Sequence, residues 1–431
     1  MNTSYNGKAG PTPSNRINKV TLSWSLYDWA NSAFATTVMA GFFPLFFKQY
    51  WSGEQSLTES TYFLGIANSV ASFFLALMAP YLGALADLTH NKKKYLSFFL
   101  FIGVVCTSGL YLVNYGDWKG AVILYVFATL GFFGSNIFYD SLLPLIAPKK
   151  NLDFISGFGF SLGYLGGGIL FALNVVMTLK PDFFGLTSTS EAVKISFVMV
   201  AIWWLVFSFP LFINVKEDHA VQQSINSSSL VIAGFVKLWQ TFKELFKNKP
   251  LLIYLCAYLF YFDGVNTIIK MAVDYGLALG FDANNLITAL LITQFVGFPA
   301  AIVFGFLGEK KGPIKGIFLA LICYAGITIW GYQMDSVKEF YILAIAIGLV
   351  QGGIQALSRS YFAKHIPVEK SAEYFGFFNM VGKSSAILGP LLVGYVSVST
   401  GNPRLSILVI LTFFIIGGIL LMIHSRLAKA T

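Results

Sequence analysis

The stretch GSNIFYDSLLPLIAPKKNLDFISGFGFSLG, Gly134 to Gly163, can be laid on GIQALSRSYFAKHIPVEKSAEYFGFFNMVG, Gly353 to Gly382, at an offset of 219 residues (353 − 134). Gly134 then meets Gly353, Ser141 meets Ser360, Pro148 meets Pro367, Gly157 meets Gly376, Phe158 meets Phe377 and Gly163 meets Gly382. Asp140 falls on Arg359, opposite in sign. Both copies end one apolar run, pass a short polar turn and begin another. A second pair of loops matches as well: Gly83 to Asp87 followed by Lys92–Lys94, and Gly305 to Glu309 followed by Lys310 and Lys311. Asp28-x-x-Asn31-Ser32 recurs as Asp263-x-x-Asn266-Thr267. Together these matches support duplication of a multi-helix unit.

The rest of the chain says what that unit is made of. Of 431 residues, 56% are hydrophobic and only 11% charged, against about 25% charged in soluble domains. No water-soluble fold of this size could hide that much apolar surface, and the low charge and high aromatic content exclude disorder. A window of about 20 apolar residues, the length of a membrane-crossing helix, gives twelve segments. They are roughly 22–47, 61–86, 95–114, 120–147, 154–178, 194–215, 251–279, 285–308, 314–333, 339–363, 372–399 and 404–425. The runs are continuous rather than alternating, which argues against membrane strands.

The net charge of +9 follows from membrane topology rather than nucleic-acid binding, for which no motif is present. With the N-terminus inside, 21 of the Lys and Arg residues, from Lys8 to Lys429, fall on inner loops. Six fall outside (Lys48, Lys119, Lys180, Lys194, Lys338 and Arg404), and Lys270 and Lys383 stay within spans. This bias places both termini in the cytoplasm. No removable signal peptide is apparent. The division is a tail over 1–21, six helices over 22–215, a linker over 216–250, six helices over 251–425 and a tail over 426–431. The linker opens as a flexible KEDHAVQQSINSSS. It closes on Phe235, Leu238, Trp239, Phe242, Leu245 and Phe246 at helical spacing with lysines between, which suits a helix on the inner membrane face.

Several motifs are rejected. Gly382-Lys383-Ser384 follows Gly376 at the wrong spacing for a phosphate loop and lies in an apolar segment. Cys106, Cys256 and Cys323 sit singly in apolar runs, and the four histidines have no ligand-like neighbours. Neither a catalytic constellation nor a cofactor site is expected. The row Gly159, Gly163, Gly167 suits close helix packing.

Charges buried within spans carry the functional argument, because each costs about 2.5–3.5 kcal/mol at a helix centre unless it faces a cavity or a partner. The candidates for substrate or proton coupling are Asp28, Asn31, Asp140, Asp263, Asn266, Lys270, Arg359 and Lys383. Structural ion pairs, such as Asp263 with Lys383, are the alternative. Gly83, Asp87, Lys92 and Lys93 form a G-x-x-x-D-plus-basic loop that resembles the major facilitator loop signature, which implies gating of the cytoplasmic side; His90 and Asn91 stand where that signature has a glycine, and the alternative is a span end with ordinary inner-side charges. Asp28 lies about six residues into its span and Asp263 about twelve, a mismatch in depth for two repeat-related acids.

YDWANSAF (Tyr27 to Phe34), GFFPLFF (Gly41 to Phe47), QALSRSYFAKHIP (Gln355 to Pro367) and FGFFNMVGKSSAILGP (Phe375 to Pro390) resemble the vacuole-effluxer-like branch of the major facilitator superfamily. The resemblance spans all twelve segments. It implies an all-α membrane fold of two six-helix bundles, a secondary transporter, and roles for Asp28, Asn31, Arg359 and Lys383. Fungal members of the branch are associated with amino-acid efflux.

The expected protein is therefore a monomeric, proton-coupled carrier of a small polar or zwitterionic solute. It would sit among the lipids of a bacterial plasma membrane, with its site between the two halves. The competing expectation is a non-transporting receptor or scaffold on the same fold.

Overall fold

The computed structural model of the chain describes residues 16–53, 57–217 and 227–430. Lys8 and the segment 218–226, expected to be a cytoplasmic tail and a flexible linker, lie outside the described residues. Among the described residues, twelve helices are long and apolar enough to cross a membrane. In chain order they are α1 (Lys19–Trp51), α2 (Leu57–Thr89), α3 (Lys92–Gly109), α4 (Trp118–Ile146), α5 (Leu152–Leu179) and α6 (Thr189–Asn214) in the first half. After the linker helix α7 (Ser227–Lys247) come α8 (Lys249–Ala278), α9 (Ala283–Lys311), α10 (Pro313–Gln333), α11 (Val337–Lys364), α12 (Ser371–Thr400) and α13 (Pro403–Ala430).

The spans match those expected from hydropathy, with ends moved by a few residues. The first helix begins earlier, at Lys19, because Asn18 caps it: its Oδ1 accepts from the backbone N–H of Val20 and Thr21, and Thr21 Oγ1 accepts from the N–H of Asn18. It also continues past residue 47 to Trp51 as a widened, π-helical coil, broken by four α-helical residues around Pro44. Proline lacks the N–H that would hold the preceding turn. At the other end α13 runs to Ala430, so residues 426–430 are helix rather than a separate tail.

Within the first half α1 packs on α5 and α6, and α3 on α4. In the second half α9 packs on α11, and α8 on α12 and α13. Between halves, α2 lies against α12, and α5 against α9 and α11. The outer wall carries exposed apolar side chains, including Phe73, Leu77, Phe101, Ile202, Phe209, Ile322 and Leu391, as an all-round apolar helix bundle in lipid requires.

The duplication is visible in how the halves touch. A Cβ on Gly376 of α12 would stand 2.5 Å from the carbonyl oxygen of Ala79 in α2. A Cβ on Gly157 of α5 would stand 2.7 Å from the carbonyl oxygen of Ala301 in α9. Gly83 faces Ala372 and Glu373 across the first seam; Gly305 faces Asp153 and Phe154 across the second. These sets correspond residue by residue at offsets of 219 and 222. Both crossings lie toward the face bearing the α2–α3 and α9–α10 loops, called the basic face below.

Candidate functional site: a charge cluster between the halves

Arg359 comes from α11, five residues from that helix's last residue, or about 7.5 Å from the basic face at 1.5 Å per residue. Its guanidinium crosses into the first half. Nη2 donates to Asp28 Oδ2 at 3.1 Å and to the carbonyl of Ser156 at 3.1 Å; Nη1 donates to Asp140 Oδ1 at 3.1 Å; Nε donates to Ser156 Oγ at 2.9 Å. Trp24, Phe160 and Tyr139 enclose the group, with ring centroids 4.8, 4.3 and 5.5 Å from Cζ. A planar five-donor cation fits this fork of acceptors between aromatic faces, and lysine would not. Gly159 leaves the space, since a Cβ there would come within 2.5 Å of Asp28 Oδ2. Gly163 and Gly167 of the same row face Asp28, Ser32 and Thr36 of α1, so the row packs α5 on α1 as its spacing implied.

Asp140 and Arg359, equivalent positions of the two repeats, are thus bonded to each other. Side chains close to a pseudo-two-fold axis meet their own counterparts, and a duplicated pair of opposite charge becomes an ion pair across the two halves. Four of the five guanidinium N–H donors are thus engaged within the protein, which holds Arg359 between the two halves.

A polar track leads from this cluster toward the middle of the molecule. Asn31 Nδ2 donates to Asn136 Oδ1 at 2.6 Å. Asn136 lies one turn before Asp140 on α4. Asn379 of α12 directs its side chain to Asp140. One turn further along α12, the ammonium of Lys383 sits 3.2 Å from the ring centroid of Phe133 on α4. Asn136, Asn379 and Phe133 were not singled out from sequence. The signal was their spacing, four residues from Asp140, four from Lys383 and seven from Asp140, each on the face of a helix already known to carry a charge.

The repeat-related acid in the second half is placed differently. Asp263 Oδ1 accepts from the backbone N–H of Gly389 at 2.9 Å and from Thr267 Oγ1 at 3.4 Å. It pairs with neither Lys383 nor Arg359, so the suggested Asp263–Lys383 ion pair does not form. Gly389 precedes Pro390 within α12, where proline disturbs the helical ladder. Asn266 Nδ2 donates to Ser385 Oγ at 3.2 Å and to the carbonyl of Gly382 at 3.4 Å. Lys270, one turn beyond, is exposed and within electrostatic reach of Asp263 and Lys383. Asp28 lies nine residues past Lys19 and Asp263 fourteen past Lys249. The depth mismatch seen in the sequence is real, and the D-x-x-N motifs do not occupy equivalent surroundings.

The basic face is fastened at both seams. At the α2–α12 seam, Asp87 accepts from the N–H groups of Glu373 (2.8 Å) and Ala372 (3.3 Å) and pairs with Lys92 at 3.1 Å; Lys92 Nζ also donates to Ser371 Oγ at 2.5 Å. A carboxylate is favoured at the first turn of a helix, where N–H groups are unsatisfied. Lys93 turns away from the seam and caps carbonyls of α6's end, Phe212 and Val215, at 3.0 and 2.6 Å. At the α5–α9 seam, Asp153 accepts from Ser360 Oγ (2.7 Å) and pairs with Lys364 (2.5 Å), both from α11. Arg16 pairs with Glu309 at 3.2 Å, over the rings of Phe154 and Phe306. His90, in the glycine position of the 2–3 loop, takes φ 51°, the left-handed conformation that glycine adopts without strain. Among the described residues no group of three or more His, Cys, Asp or Glu could hold a metal ion.

Comparison with known proteins agrees with this fold. The family model described as "Vacuole effluxer Atg22 like" matches residues 17–430. The uncharacterized MFS-type transporter YxiO of Bacillus subtilis (strain 168) is 36% identical over 408 residues, covering 94% of this chain and 95% of its own. Autophagy-related protein 22 of Kluyveromyces lactis is 24% identical over 406 residues, covering 86% and 80%. Among solved structures, the human organic anion transporter MFSD10 superposes with a TM-score of 0.70 at 13% identity, over 95% of this chain and all of that one. The proton:xylose symporter XylE gives 0.71 at 11%, over 95% of each. Such low identities speak for the fold alone, and the sequence relatives carry the assignment. The chain is a membrane transporter of the major facilitator type and belongs to the vacuole effluxer Atg22-like family.

Proposed function

We propose that this transporter carries a small zwitterionic, amino-acid-like solute through a site between its halves, with a proton as coupling ion. The basic face is cytoplasmic by the distribution of Lys and Arg, in a bacterial plasma membrane, and a monomer is the working unit. The observation that carries the reading is the pairing of opposite charges along the polar track: Lys383 from the second half at one end, Asp140 from the first half at the other, with Asn136 and Asn379 in between. Lys383 forms no ion pair among the described residues, which leaves it to meet a carboxylate. Asp140 and the asparagines suit an ammonium. Arg359 is assigned to holding the halves together rather than to the solute, since four of its five N–H donors are engaged within the protein.

Asp28, Asp140 and Arg359 together carry a net charge of −1. One proton neutralises the trio, and protonating Asp140 removes one of the two carboxylates that hold Arg359 across the halves. Protonation would thereby loosen the closed basic face, a direct route from proton binding to rocking of the bundles. Both seams being fastened at the basic face, this conformation has its cytoplasmic side shut.

The test is counterflow. Proteoliposomes preloaded with an unlabelled amino-acid mixture should accumulate labelled amino acids from outside, and Arg359→Gln should abolish the signal. Counterflow absent across the full amino-acid panel in protein shown to be folded would refute the solute class.

A further inference from the structure

The linker helix α7 has a second face that the transport cycle as described does not use. Its buried side holds Gly234, Leu238, Thr241 and Leu245 against the bundle. Gly234 packs on Tyr81 and Leu85 of α2, and the ring of Phe235 lies tilted against Tyr81 with centroids 4.5 Å apart. At its other end Glu244 pairs with Lys370, just before α12, at 2.7 Å, and Phe242 meets Phe377 of α12 at 6.4 Å. One helix therefore touches α2 of the first half and α12 of the second, spanning the seam that Asp87 closes.

On the outer side Ile232, Val236, Trp239 and Phe246 are 67, 52, 58 and 53% exposed, and Phe235, at the edge against Tyr81, is 58% exposed. At 100° per residue they fall within an arc of about 100°. Lys243 and Lys247 stand on α7 beside this stripe and Lys249 opens α8 two residues later; all three are exposed and in no ion pair among the described residues. Tyr81 lies eight residues before the end of α2, about 12 Å into the span, so the stripe lies at the level of the lipid leaflet rather than beyond it.

We propose that this face of α7 is a docking surface for anionic phospholipid of the cytoplasmic leaflet, and that lipid seated there holds the α2–α12 seam closed. Charge complementarity fixes the occupant: aromatic and aliphatic side chains enter the acyl boundary while three unpaired lysines meet phosphate-bearing headgroups. The coupling follows from the straddle. When the ends of α2 and α12 part, α7 must release one of them and its stripe tilts, so lipid binds the closed state better and favours it. On the other seam Arg16, just before α1, pairs with Glu309 of α9 above Phe154 of α5.

The experiment uses the full chain with Cys106, Cys256 and Cys323 replaced by serine, spin-labelled at His90 and Glu369 on either side of the seam. It is placed in nanodiscs of phosphatidylcholine alone or with phosphatidylglycerol. Anionic lipid should raise the ratio of short to long inter-label distances about fivefold. Lys243→Gln/Lys247→Gln/Lys249→Gln should abolish that response while leaving the ratio in phosphatidylcholine unchanged, and the corresponding Arg variant should keep it. A label at Val236→Cys should be accessible to oxygen and shielded from a water-soluble relaxation agent. No response to phosphatidylglycerol, a response that survives the Gln variant, or a water-exposed label at 236 (the mark of a soluble protein occupant) would each overturn the proposal. None of these readouts depends on which solute is carried.

Discussion

Substituting Gly376 by alanine should open the basic face. The Cβ it adds would lie 2.5 Å from the carbonyl oxygen of Ala79 and 2.7 Å from Pro80 Cα, where ordinary contact begins at 3.4 Å. Both obstacles are backbone, so no rotamer change relieves them and α2 and α12 must separate by nearly 1 Å. Overpacking of this kind costs about 1–3 kcal/mol. That cost falls on the closed conformer, because the helices part when the halves rock. At about 1.4 kcal/mol per factor of ten, the closed-to-open ratio should fall by about 5- to 150-fold. Gly157→Ala should act equally on the other seam, since its Cβ would lie 2.7 Å from the carbonyl of Ala301 and 2.9 Å from Gly305 Cα. Gly394→Ala on the same helix as Gly376, with nothing within 4 Å, is the control. Electron–electron distance distributions between labels on α2 and α12 read the ratio. Unchanged distributions in Gly376→Ala, or an equal shift in Gly394→Ala, would refute the seam as the element that sets the state.

Three further substitutions separate structure from transport. Arg359→Gln strands Asp28 and Asp140 and should cost about 3–5 kcal/mol of stability in detergent thermal unfolding; Asp28→Asn/Asp140→Asn/Arg359→Gln should regain most of it without regaining flux. His90→Gly should stabilise the fold by up to about 1 kcal/mol by relieving a positive φ, measured in the same way. Asp263→Asn keeps an acceptor for the Gly389 N–H and should change stability by less than about 1 kcal/mol with flux retained, whereas Asp263→Ala leaves that N–H unpaired at a cost of about 1–3 kcal/mol.

Much of this architecture was legible in the chain because lipid imposes simple rules. Apolar runs gave twelve spans, and the 219-residue offset gave the duplication. That offset already put Asp140 on Arg359; their ion pair is what duplication about an axis produces when the two copies meet near it. Helix ends were harder to place. Asn18 and Thr21 cap α1 inside a polar turn that a hydropathy window passes over, and α13 continues through a polar C-terminal turn to Ala430. Direction around a helix was also hidden. Lys92 and Lys93 are neighbours in sequence, yet 100° apart on the helix one fastens the α2–α12 seam and the other caps the end of α6. Asn136 and Asn379 escaped notice because, unlike Asn31 and Asn266, they belong to no motif repeated between the halves. The environment of Asp263 depended on where Pro390 disturbs α12, which the D-x-x-N repeat does not encode.

Binding of three related ligands tests the site most directly: an amino acid, its decarboxylated amine and its N-acetyl derivative, measured on the purified full chain by thermal stabilisation. The account predicts that the intact amino acid alone stabilises the natural protein. Lys383→Met should bind the amine as well as the amino acid, and Asp140→Asn should do the same for the N-acetyl derivative, because each change removes the charge that recognises the missing group. If both variants keep the natural protein's preference for the intact amino acid, the solute does not lie between Lys383 and Asp140, and the assignment of this site fails.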